Sequence, residues 1–321
     1  MFLIFKNIDP KEFFEYFERS SLPRMFFLFL LFSFSILIDA LRMKMVYHFT
    51  WRKRLSLFDA FFNNYMGFFF SMVTPFAFGG QVYQVYHLSK LGLESEHNVN
   101  VITSRFVEYL ILSFLLSLHG FMKYKDVVFT TRFVTPKLMI SAYFLSLLFV
   151  GIVVISLIYP RWIAILLTFF KRIRAFDKLL RKATKSENWD ERFLAWTDEM
   201  KKSVKTLWSN GVMLLDIPLT LASLLVQGLV FQLSLSGVSK VGFLEAVGIL
   251  YFLNLIVFYV PTPGASGGVE AIHQITLTKV FGKAGMVLAA VVTWRIATFY
   301  LPMIFGVFFL AFYRYPKEAR R

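Results

Sequence analysis

Apolar residues in this chain come in long runs separated by short polar stretches. A helix needs roughly 20 consecutive apolar residues to cross the hydrocarbon of a bilayer. Four runs read as such spans, at 24–41, 98–120, 137–160 and 212–236, and a fifth at 284–312 is long enough to cross with tilt. Two further runs, 57–75 and 242–261, each close on Thr-Pro followed by Gly-Gly, and each leads into a short amphipathic stretch, 81–91 and 269–281. A proline followed by two glycines does not continue a helix. These pairs therefore predict broken or re-entrant hairpins, and the expected fold is all-α, a polytopic helical membrane protein.

The two breaks repeat one another. Thr74-Pro75-Phe76-Ala77-Phe78-Gly79-Gly80 and Thr262-Pro263-Gly264-Ala265-Ser266-Gly267-Gly268 match at five of seven positions across an offset of 188 residues. Thr103-Ser104-Arg105 follows the first and Thr293-Trp294-Arg295 the second, so each break precedes an arginine inside an apolar segment. Repeated broken helices with a polar site between them are the arrangement of transporters built from inverted repeats.

Composition agrees with a membrane protein: 57% of the 321 residues are hydrophobic and 40 are Phe. The net charge of +15 does not point to nucleic acid, because the cations lie in the short segments between apolar runs. They read as topology signals and as contacts to anionic lipid headgroups. The absence of cysteine excludes disulfides and thiolate chemistry. Asp9, Glu12, Glu15 and Glu18 precede the first apolar run, so no cleavable signal peptide is expected.

Residues 1–22 interleave Phe13, Phe14, Phe17 and Leu22 with charges, which suits either an interfacial amphipathic helix or one packed on the protein itself. Residues 161–211 hold twelve Lys and Arg, which places this loop in the cytoplasm; it is expected to form two amphipathic helices joined near Ser186 to Trp189. Counting spans from that anchor gives a first membrane unit at 23–160, a second at 212–313, and a basic tail at 314–321 on the cytoplasmic side. The first hairpin then enters from inside and the second from outside, forming an inverted pair. The expected location is the cell membrane, as a multi-pass protein.

Helix breaks survive in hydrocarbon only where protein or water satisfies the freed backbone. The helices beginning near Gln81 and Val269 would turn their unpaired amides and positive dipole ends toward the cavity, a natural seat for phosphate. Arg105 and Arg295 sit roughly 11 to 17 Å into their helices, deep for a snorkelling side chain, and a guanidinium there suits a bidentate phosphate. Glu108, three residues after Arg105, is its candidate internal partner, and Glu270 is that of Arg295. Gln81 and Gln84 stand, with a one-residue shift, where Glu270 and His273 stand after the second break. The candidate headgroup-binding residues are thus Thr74, Gly79, Gly80, Gln81, Gln84, Arg105, Glu108, Thr262, Gly267, Gly268, Glu270 and Arg295. Asp39 and Asp216 fit structural or functional roles equally. The Glu270-x-x-His273 spacing occurs once, without further ligands, so neither a metal nor another cofactor is expected. No nucleophile elbow or phosphate-binding loop occurs, and no catalytic residue is assigned.

The segments Thr74-Pro75-x-x-x-Gly79-Gly80-Gln81-x-x-Gln84-x-Tyr86-x-Leu88, Pro261-Thr262-Pro263-Gly264-x-Ser266-Gly267-Gly268-x-Glu270 and Trp294-Arg295-x-x-Thr298-x-Tyr300-Leu301-Pro302-x-x-x-Gly306 resemble the lysylphosphatidylglycerol synthase transmembrane-region family, also described as flippase-like. The resemblance covers about residues 25 to 312. It implies a membrane region, freestanding or fused to a soluble aminoacyl transferase, that moves a modified lipid between leaflets. Only the tail from Tyr313 follows the last apolar run, so a freestanding membrane region is expected. The substrate so implied is a phosphate-bearing lipid, such as aminoacylated phosphatidylglycerol or a polyprenyl phosphate. The alternative is an enzyme or enzyme subunit in lipid modification, phosphatidylglycerol lysyltransferase-like or working in lipid-linked glycosyl transfer, which would call for a partner transferase. Many relatives have Glu where this chain has Gln81, which shifts any proton coupling to Glu270 or Glu108.

Overall fold

The computed structural model describes residues 10–77, 79–129, 136–184, 186–257 and 262–314, and among these every regular element is helical. The first nine residues, Phe78, Pro261, and Lys317, Arg320 and Arg321 of the basic tail lie outside the described residues.

Helix α1 (Pro10–Arg19) packs on the protein. Tyr16 is 2% exposed and its hydroxyl donates to the Ser234 carbonyl, while the Glu12 carboxylate accepts from the Gly285 amide at 3.1 Å. Helix α2 (Leu22–Trp51) runs ten residues past the 24–41 run, with Arg42, Met43, Val46 and Tyr47 buried along that extension.

Next come α3 (Leu57–Val73), capped by the Ser56 hydroxyl on the Asp59 amide, then α4 (Gly79–Lys90), α5 (Ser95–Phe129) and α6 (Pro136–Ile158). The basic stretch differs from the expected pair of helices. It forms three: α7 (Arg161–Phe170), α8 (Arg174–Thr184) and α9 (Trp189–Ser209). The break before α7 falls at Pro160, which lacks the amide needed to carry α6 onward, and the chain turns by 100° there. The joint expected near 186–189 is where α8 and α9 separate. Trp189 is buried at that joint and donates to Asp177 at 2.9 Å. That bond, with the Arg181 guanidinium beside it, holds the Asp177 carboxyl below the usual carboxylate range.

The second half contains α10 (Val212–Leu235), α11 (Phe243–Val257), α12 (Gly268–Phe281) and α13 (Ala284–Phe312). Four helices, α2, α5, α10 and α13, are long and apolar enough to cross a membrane, and α6 with the bent α7 makes a fifth candidate. The protein is a multi-pass membrane protein. Inside α13, residues Ile296–Tyr300 form one π-helical turn, with the Leu301 amide reaching the Ile296 carbonyl. Pro302 follows, and its missing amide and bulky ring disfavour the regular ladder there.

Helix α2 lies along α10, and α5 along α11. Where α5 crosses α11, Gly120 meets Gly248, and a Cβ on Gly120 would fall 2.2 Å from the Gly248 carbonyl oxygen. Small residues that let helix backbones touch are a principal means of association in lipid. The α3–α4 crossing works the same way: a Cβ on Gly80 would meet the Ser71 hydroxyl at 2.0 Å and the Gly67 carbonyl at 2.4 Å.

The two breaks begin and end alike but differ between, where Gly264 is left-handed at φ 59° and Phe76 is not. Thr74 and Thr262 are extended, at φ −110°, ψ 144° and φ −91°, ψ 150°. Each is followed by a 3-10 turn, Pro75–Ala77 and Pro263–Ala265, whose last alanine is left-handed, at φ 57° and 50°. The turns touch each other, and the Cβ position of Gly264 lies 3.3 Å from the Met72 carbonyl.

Candidate functional site

Beside the touching breaks lies a cavity of about 430 Å³. Both halves of the chain line it. From the first come Asp39, Asn64, Ser71, Gln81 and Gln84; from the second come Gln227, Asn254, Thr262, Arg295 and Thr298, with aromatic wall supplied by Phe68, Tyr109 and Trp294.

Arg295 reaches this wall from the last α-helical residue before the π turn of α13, and is 5% exposed. Its Nε donates to Glu270 Oε1 at 2.8 Å, its Nη2 to the Gly264 carbonyl at 3.3 Å, and its guanidinium sits 4.0 Å from the Phe299 ring centroid. Glu270, the partner named from the sequence, also accepts from the Gly267 amide through Oε2 at 2.7 Å. The start of α12 is therefore capped by its own carboxylate, which tempers the expected open anion seat. Gly268 begins that helix, and Thr262 donates across the break to the Ser266 carbonyl at 2.9 Å.

The first break is closed by a hydroxyl. Thr74 donates to the Phe70 carbonyl at 2.7 Å and accepts from the Gly79 amide at 2.9 Å, joining the end of α3 to the start of α4. Gly80 is buried in the α3–α4 crossing. Gln84 donates to Asn64 Oδ1 at 3.4 Å, and its carbonyl accepts from Asn63 at 2.9 Å.

Behind the first wall lies a buried ionic cluster from three helices. Arg42 grips Asp216 with two bonds, Nε to Oδ1 at 3.1 Å and Nη2 to Oδ2 at 2.7 Å, and also donates to Asp39 Oδ1 at 2.5 Å. Arg105 donates to the Asp39 carbonyl at 2.5 Å and to Asn64 Oδ1 at 3.4 Å, and approaches the Asp39 and Asp216 carboxylates at 3.9 and 4.0 Å. Glu108 does not make the close pair with Arg105 that its spacing suggests. It turns to Arg42 at 3.5 Å and accepts from the Thr220 hydroxyl at 3.3 Å. The reason is competition, since Asp39 already faces Arg105 from the neighbouring helix.

Arg105 thus stands one layer behind the cavity, whereas Arg295 forms part of its wall. The sequence reading left out Arg42, Asn64, Gln227 and Asn254. Arg42 had a legible signal: it follows Asp39 by three residues in an apolar run, the spacing of a helical ion pair. His273 Nδ1 donates to the Val269 carbonyl at 2.9 Å, while Glu270 faces Arg295.

The cavity thus offers one occupant polar groups from both halves of the chain, a buried arginine and apolar wall. Comparison of the chain with curated proteins and with solved structures found no match. The sequence model described as the lysylphosphatidylglycerol synthase TM region matches residues 1–306, and the chain belongs to that family.

Proposed function

We propose that this protein is a lipid translocase, moving a phosphate-bearing lipid between leaflets through the cavity beside the two breaks. The observation that carries the reading is the contact between Pro75–Ala77 and Pro263–Ala265, with Arg295, Asp39 and both polar walls gathered around one space. On this reading the hairpins α3–α4 and α11–α12 are re-entrant and form an inverted pair, each entering from its own side and meeting near the middle of the bilayer. The extended threonine and left-handed alanine common to both breaks support that, as does the pairing of α2 with α10, the helix preceding each hairpin. Arg295 holds the phosphate, exchanging part of its contact with Glu270 for the lipid, and Arg105 fixes the wall through Asn64 and Asp39.

The basic helices α7 to α9 rest on anionic headgroups at the cytoplasmic surface of the cell membrane. Purified protein in vesicles carrying fluorescent phospholipid or polyprenyl-phosphate probes should speed leaflet exchange over protein-free vesicles. Equal rates would refute the reading. A lysylated or glycosylated lipid missing from extracts of cells lacking the protein would instead indicate lipid modification through a partner transferase.

A further inference from the structure

Three side-chain amides converge on the cavity from three helices: Gln81 from α4, Gln227 from α10 and Asn254 from α11. The described hydrogen bonds include none from these side chains to protein. All three are half-buried, so their open donors and acceptors are available to a ligand or to water in the cavity. Each carries both a donor and an acceptor, and so does each hydroxyl of a polyol or sugar.

The charges on the wall are already matched. Asp39 is 2.5 Å from Arg42 and 3.9 Å from Arg105, and Arg295 is 2.8 Å from Glu270. An amine headgroup would find no carboxylate on this wall without an arginine partner, since Asp39 already offsets Arg42. A phosphate can share Arg295, whose other contacts are a backbone carbonyl and a ring. Asp39, fixed by Arg42 and by the Ser223 hydroxyl at 3.2 Å, keeps lone pairs that can accept from hydroxyls. Phe68, Tyr109 and Trp294 line the cavity and offer apolar surface for the C–H face of a ring, and about 430 Å³ is more room than a glycerol group fills.

Building on the translocase reading, we infer that the cavity is selective for a lipid phosphate bearing a sugar, whose headgroup is neutral beyond its phosphate, over lipids bearing an amine. Selectivity comes from Gln81, Gln227 and Asn254 meeting the sugar hydroxyls while Arg295 meets the phosphate.

Native mass spectrometry of the full chain tests this without depending on transport. The protein is offered equimolar hexosyl polyprenyl phosphate, the unglycosylated polyprenyl phosphate and phosphatidylethanolamine. The expected result is about tenfold preference for the glycosylated lipid over phosphatidylethanolamine, the worth of one or two net hydrogen bonds. Gln227→Leu with Asn254→Leu should bring the glycosylated lipid down to the level of its unglycosylated counterpart. Gln81→Leu, on a different helix, should lower the same ratio and serves if the double variant does not fold. Equal binding of the three lipids, or a preference untouched by these substitutions, overturns the inference. Leaflet exchange measured on the same preparation reports separately on the translocase reading, so the two can fail independently.

Discussion

At the scale of residues, the ionic cluster is where this fold has most to lose. Arg42 and Asp216 are 3% and 0% exposed and bonded twice, so removing either leaves a buried charge with fewer partners than it needs. Arg42→Gln is expected to cost about 3–5 kcal/mol, read as a lower thermal midpoint or loss of a monodisperse peak in detergent. An unchanged midpoint would show that the cluster is hydrated and not structural. Glycines separate two kinds of demand. Gly80→Ala drives a methyl into the Gly67 carbonyl, and overpacking of that sort costs about 1–3 kcal/mol. Gly92→Ala meets no atom within 4 Å and suffers only from its φ of 81°, about 1 kcal/mol. Thermal midpoints of the two variants should rank in that order.

At the scale of elements, the left-handed alanines ending each 3-10 turn are the strained points of the breaks. Ala77→Gly and Ala265→Gly should each stabilise the protein, by up to about 1 kcal/mol, since glycine adopts that conformation freely. A fall in thermal midpoint instead would mean that the alanine methyls contribute packing worth more than the strain. In the basic stretch, the lowered Asp177 carboxyl ties α8 to Trp189 at the start of α9. Its contribution is present above the carboxyl's unfolded range and fades as pH falls through its lower folded value. Asp177→Asn should therefore remove part of the acid-induced change in tryptophan fluorescence, and an identical titration would exclude the link.

Spans and breaks were readable because apolar run length and Pro-Gly chemistry are local properties. The 74–80 and 262–268 motifs located both turns to within a residue or two. The third helix of the basic stretch was hidden, since Arg161–Phe170 carries a single charge and is apolar enough to be an extension of α6. The partner of Arg105 was hidden for another reason. Spacing along one helix favours Glu108, while the helix packing that brings in Asp39 is a long-range property no single run encodes.

Across the whole molecule, both halves contribute one break and one wall to a shared cavity, and the two arginines differ in depth. Arg295 forms part of the cavity wall, whereas Arg105 braces it from behind through Asn64 and Asp39. Their roles should separate in kinetics, because a wall residue acts on the lipid and a bracing residue acts on the shape of the wall. The most direct measurement is leaflet exchange of a fluorescent lipid phosphate in vesicles holding native protein, Arg295→Ala or Arg295→Lys. The account predicts exchange well above protein-free vesicles for the native chain, a loss of about tenfold or more in Arg295→Ala, and partial recovery in Arg295→Lys, which keeps the charge without the fork. Exchange by Arg295→Ala at the native rate, in protein that remains folded, would contradict it.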